Sequence, residues 1–566
     1  MARKRARSRR GHRWLKWALG LLALLLVAVG VLIAVSLHRA EPILRAVIVE
    51  KLQDRFHARV ELDSFHISLV NGLLAEGKGL RIWPPAQVIG VTVPGGSNAS
   101  SLNSGAPLIS LDQFTFHAPL RYDRGKPIRI SVVQLKGLVI DVPPKTHFTH
   151  AAKTEKQSST QKSSMSAALL RFVVDTVECK DAHLTLETSK PGKLPTEFAI
   201  AQLKLTGVSA GGSMHFDAQL TNPKPPGTIK TSGTVGPWEI EDPGETPIAG
   251  NYSFSHADLS VFKGIAGILE STGNYTGVLR SLTVDGETQT PDFRLANFGT
   301  TLPLNTQFHA TVDATNGDTW LQPVNAVLGH SHITAVGQVV RSPAVTEPNG
   351  LARPAGHDIS LKVNVDHGQM EDFLRLASKS GTAFLTGDLT LKTNLDILPG
   401  TAQVQERMRL NGNFLLDNAQ FTSAKFQNYV AQLSLRGQGD AKDAKQNAGA
   451  DVRSTMQSNF KMADEVIALP DLKYSVPGAE IDLAGKYGLE GSTLDFSGSA
   501  RMQATVSQMV GGWKGALLKP ADRLFKKDGA GTEVSLQIQG TRENPQFQVG
   551  VAGLKYTHAA SPGGSR

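Results

Sequence analysis

The chain has 566 residues, 40% of them hydrophobic, with 59 Lys and Arg against 50 Asp and Glu. That apolar share is enough for several packed cores and excludes a wholly disordered chain. The formal charge of +9 is local: eight of the bases and no acid fall in residues 1–16, leaving 51 bases against 50 acids in the rest. A basic surface that tracks nucleic-acid phosphates is thereby excluded.

Residues 1–16 read as a basic cytoplasmic tail and 17–38 as a transmembrane anchor. From Trp17 to Leu37 the sequence WALGLLALLLVAVGVLIAVSL carries no charge over 21 residues. At about 1.5 Å per residue this matches the roughly 30 Å hydrocarbon core of a bilayer. Trp14 and Trp17 suit the headgroup level, and the preceding bases hold the N-terminus in the cytoplasm. A cleavable signal peptide ending near Ala34-Val35-Ser36 is the alternative, but the apolar run exceeds the usual length of a signal core.

Next comes a domain over 40–142. PILRAVIVEKLQDRF sets Ile43, Val47, Ile48, Leu52 and Phe56 on one helical stripe, with Pro42 in the first turn, so an amphipathic helix is expected over 41–56. From Val60 the period becomes two, in VELDSFHISL, LISLDQFTFH and IRISVVQLKGLVIDV, which predicts strands. The run PPKTHFTHAAKTEKQSSTQKSS makes 143–166 a disordered linker. Single Cys179 excludes an internal disulfide framework and reads as a small buried apolar residue.

A middle β region over 167–340 contains the pentapeptide GVSAG, Gly207 to Gly211, with the spelling of a hydrolase nucleophile elbow around Ser209. An elbow needs a helix directly after the nucleophile. The following GSMHFDAQLTNPKPPG instead suits a short strand running into a loop.

Within the same region a helix is expected over 256–270, from VFKGIAGIL. It belongs to an apparent repeat, in which Leu282, Val284, Gly286, Pro291, Phe293 and Leu295 share their spacing with Leu536, Ile538, Gly540, Pro545, Phe547 and Val549. Aromatic-Lys-Gly steps precede both: Phe262, Lys263 and Gly264, then Trp513, Lys514 and Gly515. Such units suggest an accreting sheet with helices at intervals.

Residues 357–400 read as strand, helix, strand. In ISLKVNVD, the side chains of Ile359, Leu361, Val363 and Val365 form one wholly aliphatic face, which lines either a closed core or an open groove. Helices are expected at 368–378 and 505–526, a further β region covers 404–552, and 553–566 is a tail. The pairs His330/His332 and His147/His150 lack a third ligand, and neither a P-loop nor a dinucleotide fingerprint occurs. No catalytic, metal or cofactor residues stand out, so an enzyme is not expected and no cofactor is assigned.

The basic tail, single span, amphipathic helix and FHARVELDSFHISLVNGLLAEGKGLRIWPP together resemble the opening of the AsmA family of envelope proteins. LKYSVPGAEIDLAGKYGLEGSTLDFSG and GWKGALLKPADRLFKKDGAGTEVSLQIQGTRENPQF resemble that family's C-terminal region, including a hairpin at Pro477, Gly478, Ala479, Gly485 and Tyr487. GPW at Gly236–Trp238 and TPDF at Thr290–Phe293 resemble longer AsmA-type proteins.

The resemblance implies a mainly β, inner-membrane-anchored periplasmic protein with an elongated, repetitive, twisted sheet or groove and a few amphipathic helices packed on it. Phospholipid bound or conducted along an apolar β-groove is the implied ligand, as in chorein-type bridge-like lipid transfer proteins. Implied partners are the inner-membrane bilayer and envelope or outer-membrane assembly proteins, with no nucleic acid. Two other readings stand beside it: an envelope-assembly scaffold that moves no lipid, and a serine hydrolase using Ser209.

Overall fold

A computed structural model describes residues 41–50, 52–53, 58–68, 73–83, 107–118, 128–142, 172–188, 190, 192–208, 212–223, 225–239, 242–296, 300–346, 352–377, 381–446, 452–525, 531–551 and 554–558. The expected tail at 1–16, the span with Trp14, Trp17 and Leu37, the linker at 143–166 and Ser209 lie outside these residues. Among the described residues no helix is long and apolar enough to cross a membrane. The described structure is mainly β. It divides into two units, the first of residues 1–186, 197–220 and 234–246, the second of 187–196, 221–233 and 247–566. In sequence the two units alternate up to Thr246, and everything from Pro247 onward belongs to the second.

In the first unit, β1 (Val60–Ser68), β2 (Leu73–Ile82), β3 (Ile109–Ala118) and β4 (Ile128–Val142) form an antiparallel meander. β5 (Phe172–Leu186) pairs with β4 in parallel, Ile128 opposite Phe172 and Val142 opposite Leu186. A parallel pair cannot be closed by a tight turn, so the chain between them must travel back the length of β4. Most of β6 (Thr196–Thr206) and β7 (Met214–Pro223) also belongs here.

Alternation buries Val60, Leu62, Phe65 and Ile67 of β1 with Leu111 and Phe114 of β3. The Phe114 ring lies where a Cβ on Gly77 would stand, so a residue without a side chain is required beneath it. Cys179 is buried, as expected. The helix at 41–50 is held to β1 by Arg45, which donates to the Leu62 carbonyl at 2.9 Å, and by Glu41, which accepts from the Ile67 amide at 3.1 Å. Its expected stripe is turned: Val47 and Ile48 are half-buried, but Ile43 is 65% exposed.

The second unit takes most of β8 (Pro226–Val235) and continues through β9 (Pro247–Asp258), the two-residue β10 (Ile265–Ala266), β11 (Ile268–Val278), β12 (Ser281–Leu295), β13 (Leu302–Asp313), β14 (Asp318–Leu328) and β15 (Ser331–Ser342). A minimal hairpin, β16 (Val345–Thr346) and β17 (Ala352–Arg353), precedes β18 (Gly356–Gln369), β19 (Leu385–Ile397), β20 (Met408–Phe421), β21 (Ser454–Ala463) and β22 (Val466–Val476). Then follow β23 (Ala479–Gly488), β24 (Thr493–Met502), β25 (Thr532–Thr541), β26 (Pro545–Val551) and β27 (Leu554–His558).

Each long strand pairs antiparallel with the next, in the order β9, β11 to β15, then β18 to β27. At the turn between β22 and β23 Pro477 is followed by Gly478 at φ +87°, a conformation that favours glycine. The sheet does not run flat. The Val404 amide, just before β20, donates at 3.0 Å to the Lys263 carbonyl, just before the short β10 that leads into β11. Seven strand spacings of a flat ladder would separate these points by about 34 Å. The sheet of this unit therefore rolls back on itself.

Four expectations need correction. Residues 256–270 hold no α-helix: β9 ends at Asp258, one 3₁₀ turn (Leu259–Val261) follows, and the chain returns to strand. Gly264 at φ +110° and Gly267 at φ +139° lie outside helical space.

The repeat is not structural either, because 282–295 lies within one strand whereas 536–549 spans the β25–β26 hairpin. A long helix, Ala424–Gln438, is present where strands were expected. Finally, the tail does not begin at 553, since Leu554–His558 pairs with β26. The helix Met370–Ala377 and the helices Val506–Val510 and Gly512–Leu518 fall in expected windows.

Candidate functional site: a half-covered apolar sheet face

Alternation along β18 places Ile359, Leu361, Val363 and Val365 on one face, with Ser360, Lys362 and Asp366 exposed on the other. Cross-strand pairing extends that face sideways. Gly337, Leu361, Leu395, Leu410, Met462, Ile467, Tyr487 and Leu494 stand opposite one another in turn, a row free of charge from β15 to β24. A parallel row runs Ala335, Val363, Thr393, Gly412, Phe460. The opposite face presents Lys362, Lys392, Asn394, Asn411, Asn413 and Lys461, all exposed. One face is thus apolar and the other solvated, as an antiparallel sheet permits.

The cover over this apolar face is uneven. At one end the helix Met370–Ala377 packs Met370, Phe373 and Leu374 onto buried Leu385, Leu389, Leu416 and Ala419. Val365 at that end is fully buried, at 0% exposure. Away from the helix, Ile359, Leu361 and Val363, and with them Leu391, Leu395 and Leu410, are only half-buried. The strand that sequence leaves open between core and groove is therefore both, core at Val365 and half-covered at the other three positions.

Polar interruptions on the face are neutralised locally. The hydroxyls of Thr393 and Ser458 donate to the carbonyls of Asn394 and Asn459. A second compact cluster, Leu472, Leu483 and Phe496, continues the face across β22 to β24. The ring of Phe496 lies over Gly485, as that of Tyr252 lies beside Gly273 and Gly286 on β11 and β12. Glycines under aromatic rings remove side chains where the sheet must bend and a ring must lie flat. Tyr252 and Tyr275 donate to or accept from Ser271 at 3.1 Å and Thr231 at 2.6 Å, and burial pushes both phenols up from 10.0.

The other candidates come together less well. Strand β7 (Met214–Pro223) stands where an elbow at Ser209 would need a helix. His330 lies in the β14–β15 turn with its imidazole 3.8 Å from Asp372, and His332 is in β15. Among the described residues no group of three or more His, Cys, Asp or Glu could hold a metal ion. His147 and His150 lie outside those residues.

Sequence reasoning found the β18 face through strict alternation. It missed its closure by Phe373 and Leu374, because periodicity assigns a helix but not what the helix lands on. No family model matches the chain, and no curated protein or solved structure matches it either.

Proposed function

We propose that this chain is an AsmA-like envelope protein, held in the inner membrane by residues 17–38 with the bulk of the chain periplasmic, that binds phospholipid acyl chains along the apolar face of its second unit and supports outer-membrane assembly. One observation carries the reading: rows of uncharged side chains continue over many strands, half-covered in the middle and backed by a polar face. Each methylene moved from water onto such a surface contributes about 0.8 kcal/mol. A surface of this kind binds by area and shape, with no catalytic group required, and lets an alkyl chain shift along it.

The test is to purify the full chain in a mild non-lipid detergent and identify co-purifying lipid by native mass spectrometry. Stoichiometric phospholipid, lost on placing charge on the half-covered face, is the expected result. A lipid-free protein that still captures envelope proteins would replace this reading with the scaffold.

A further inference from the structure

The helical segment between β24 and β25 has an exposed surface of its own. Helix Gly512–Leu518 crosses helix Val506–Val510 at Gly515, where a Cβ would collide with the Ser507 carbonyl. With Gly515 facing inward, the helical rotation of about 100° per residue turns Leu517 to the opposite side. Leu517 is 68% exposed, the largest value among the exposed large hydrophobics of the described residues, and Val510 is 39% exposed. Lys514, Lys519 and Arg523 are exposed around them.

The charge is concentrated as well. Residues 503–528 contain five Lys or Arg and two acids, Asp522 and Asp528, although outside the N-terminal tail bases and acids are nearly equal in number. Asp522 points back into the segment, accepting from the Ser507 hydroxyl at 2.6 Å and amide at 2.8 Å.

We propose that this surface docks on an anionic lipid bilayer, with Leu517 entering the headgroup region and Lys514, Lys519 and Arg523 meeting lipid phosphates. An aliphatic tip within a ring of cations is the composition of an interfacial membrane contact. Protein interfaces are depleted of Lys and carry aromatic residues at their centre. The inference does not depend on lipid binding by the sheet face.

The experiment uses the full chain in phosphatidylcholine nanodiscs, with Cys179→Ala and Leu517→Cys carrying an environment-sensitive fluorophore. Vesicles with 30% phosphatidylglycerol should give a blue shift and brightening at position 517 that salt reverses. Pure phosphatidylcholine vesicles should give little. Lys519→Ser with Arg523→Ser should weaken the response to phosphatidylglycerol roughly thirtyfold in vesicle concentration. The label reads position 517 itself, so binding through residues 1–16 leaves it unmoved. No response to phosphatidylglycerol, an equal response to both vesicle types, or a shift that follows protein concentration without vesicles would each overturn the proposal, the last in favour of self-association.

Discussion

Gly264 and Val404 touch so closely that a Cβ on Gly264 would lie 2.9 Å from the Val404 Cβ. The glycine also holds φ +110°. This contact joins the segment just before β10 to the short helix Val404–Arg407 just before β20, and so ties together two distant parts of the sheet of the second unit. Gly264→Val should strain both the backbone and the contact and cost about 2–4 kcal/mol. A thermal melt checks it, and an unchanged midpoint would show that the roll does not depend on this point.

Val363 and Val365 lie on one face of one strand but differ in cover, and the same substitution should separate them. Val365→Asp buries an unpaired carboxylate and should cost several kcal/mol. Val363→Asp leaves the carboxylate a path to water, so the melting midpoint should fall by much less while bound lipid drops. Equal destabilisation by both would make the half-covered region ordinary core.

Buried Asp318 is held by Lys193 at 3.0 Å and by the Arg341 amide at 3.0 Å. Lys193→Met removes the nearer of two cations and leaves Lys190 at 3.8 Å, so it should cost less than the roughly 3–5 kcal/mol of a fully unpaired buried charge. Adding Asp318→Asn should recover a large part of that loss. Additive effects in this double-mutant cycle, measured by denaturant unfolding, would show the two residues to be uncoupled.

Hydrogen bonds from Ser507 hold the Asp522 carboxyl below the usual 3.8. A depressed carboxyl stabilises the fold above its unfolded value, and that contribution is lost as pH falls through the folded value. Protection from hydrogen exchange in helices Val506–Val510 and Gly512–Leu518, taken relative to the intrinsic rate at each pH, should therefore fall below pH 4, and Asp522→Ala should show the reduced protection already at pH 7. A pH-independent difference between the two proteins would assign the link to something other than this carboxylate.

Burial pushes the Cys179 thiol up from 9.0. At pH 8 in the folded protein it should react with a disulfide reagent far more slowly than after unfolding, since only the thiolate attacks. Comparable rates would place it at an accessible site.

Much of the architecture was legible because period-two alternation survives wherever one face is wet, as in Ile359 to Asp366. The β18 face and the helix after it could be read for that reason. Composition misled where a turn resembled a helix: VFKGIAGIL has the right apolar spacing, but Gly264 and Gly267 adopt conformations that no helix contains. The helix Ala424–Gln438 escaped notice because its packed side is small, with Ala431, Ser434 and Gly437 buried and Tyr429 exposed. Hydrophobic periodicity registers bulk, and here the contact is made by the lack of it. Nor can local pattern reveal the parallel register of β4 and β5, which depends on residues more than forty positions apart.

That parallel register also bears on the order of events as the chain emerges during synthesis. β1 with β2 and β3 with β4 can zip across short connections, and β2 joins β3 across residues 83–108 as an antiparallel neighbour. β5 must wait until residues 143–171 have been made, and only then can it pair in parallel with β4. Until it arrives, one edge of β4 offers a row of unpaired backbone groups to any other strand within reach. The hydrophilic run PPKTHFTHAAKTEKQSSTQKSS is well suited to that interval, because a segment with few apolar residues gives the waiting edge little to misfold against.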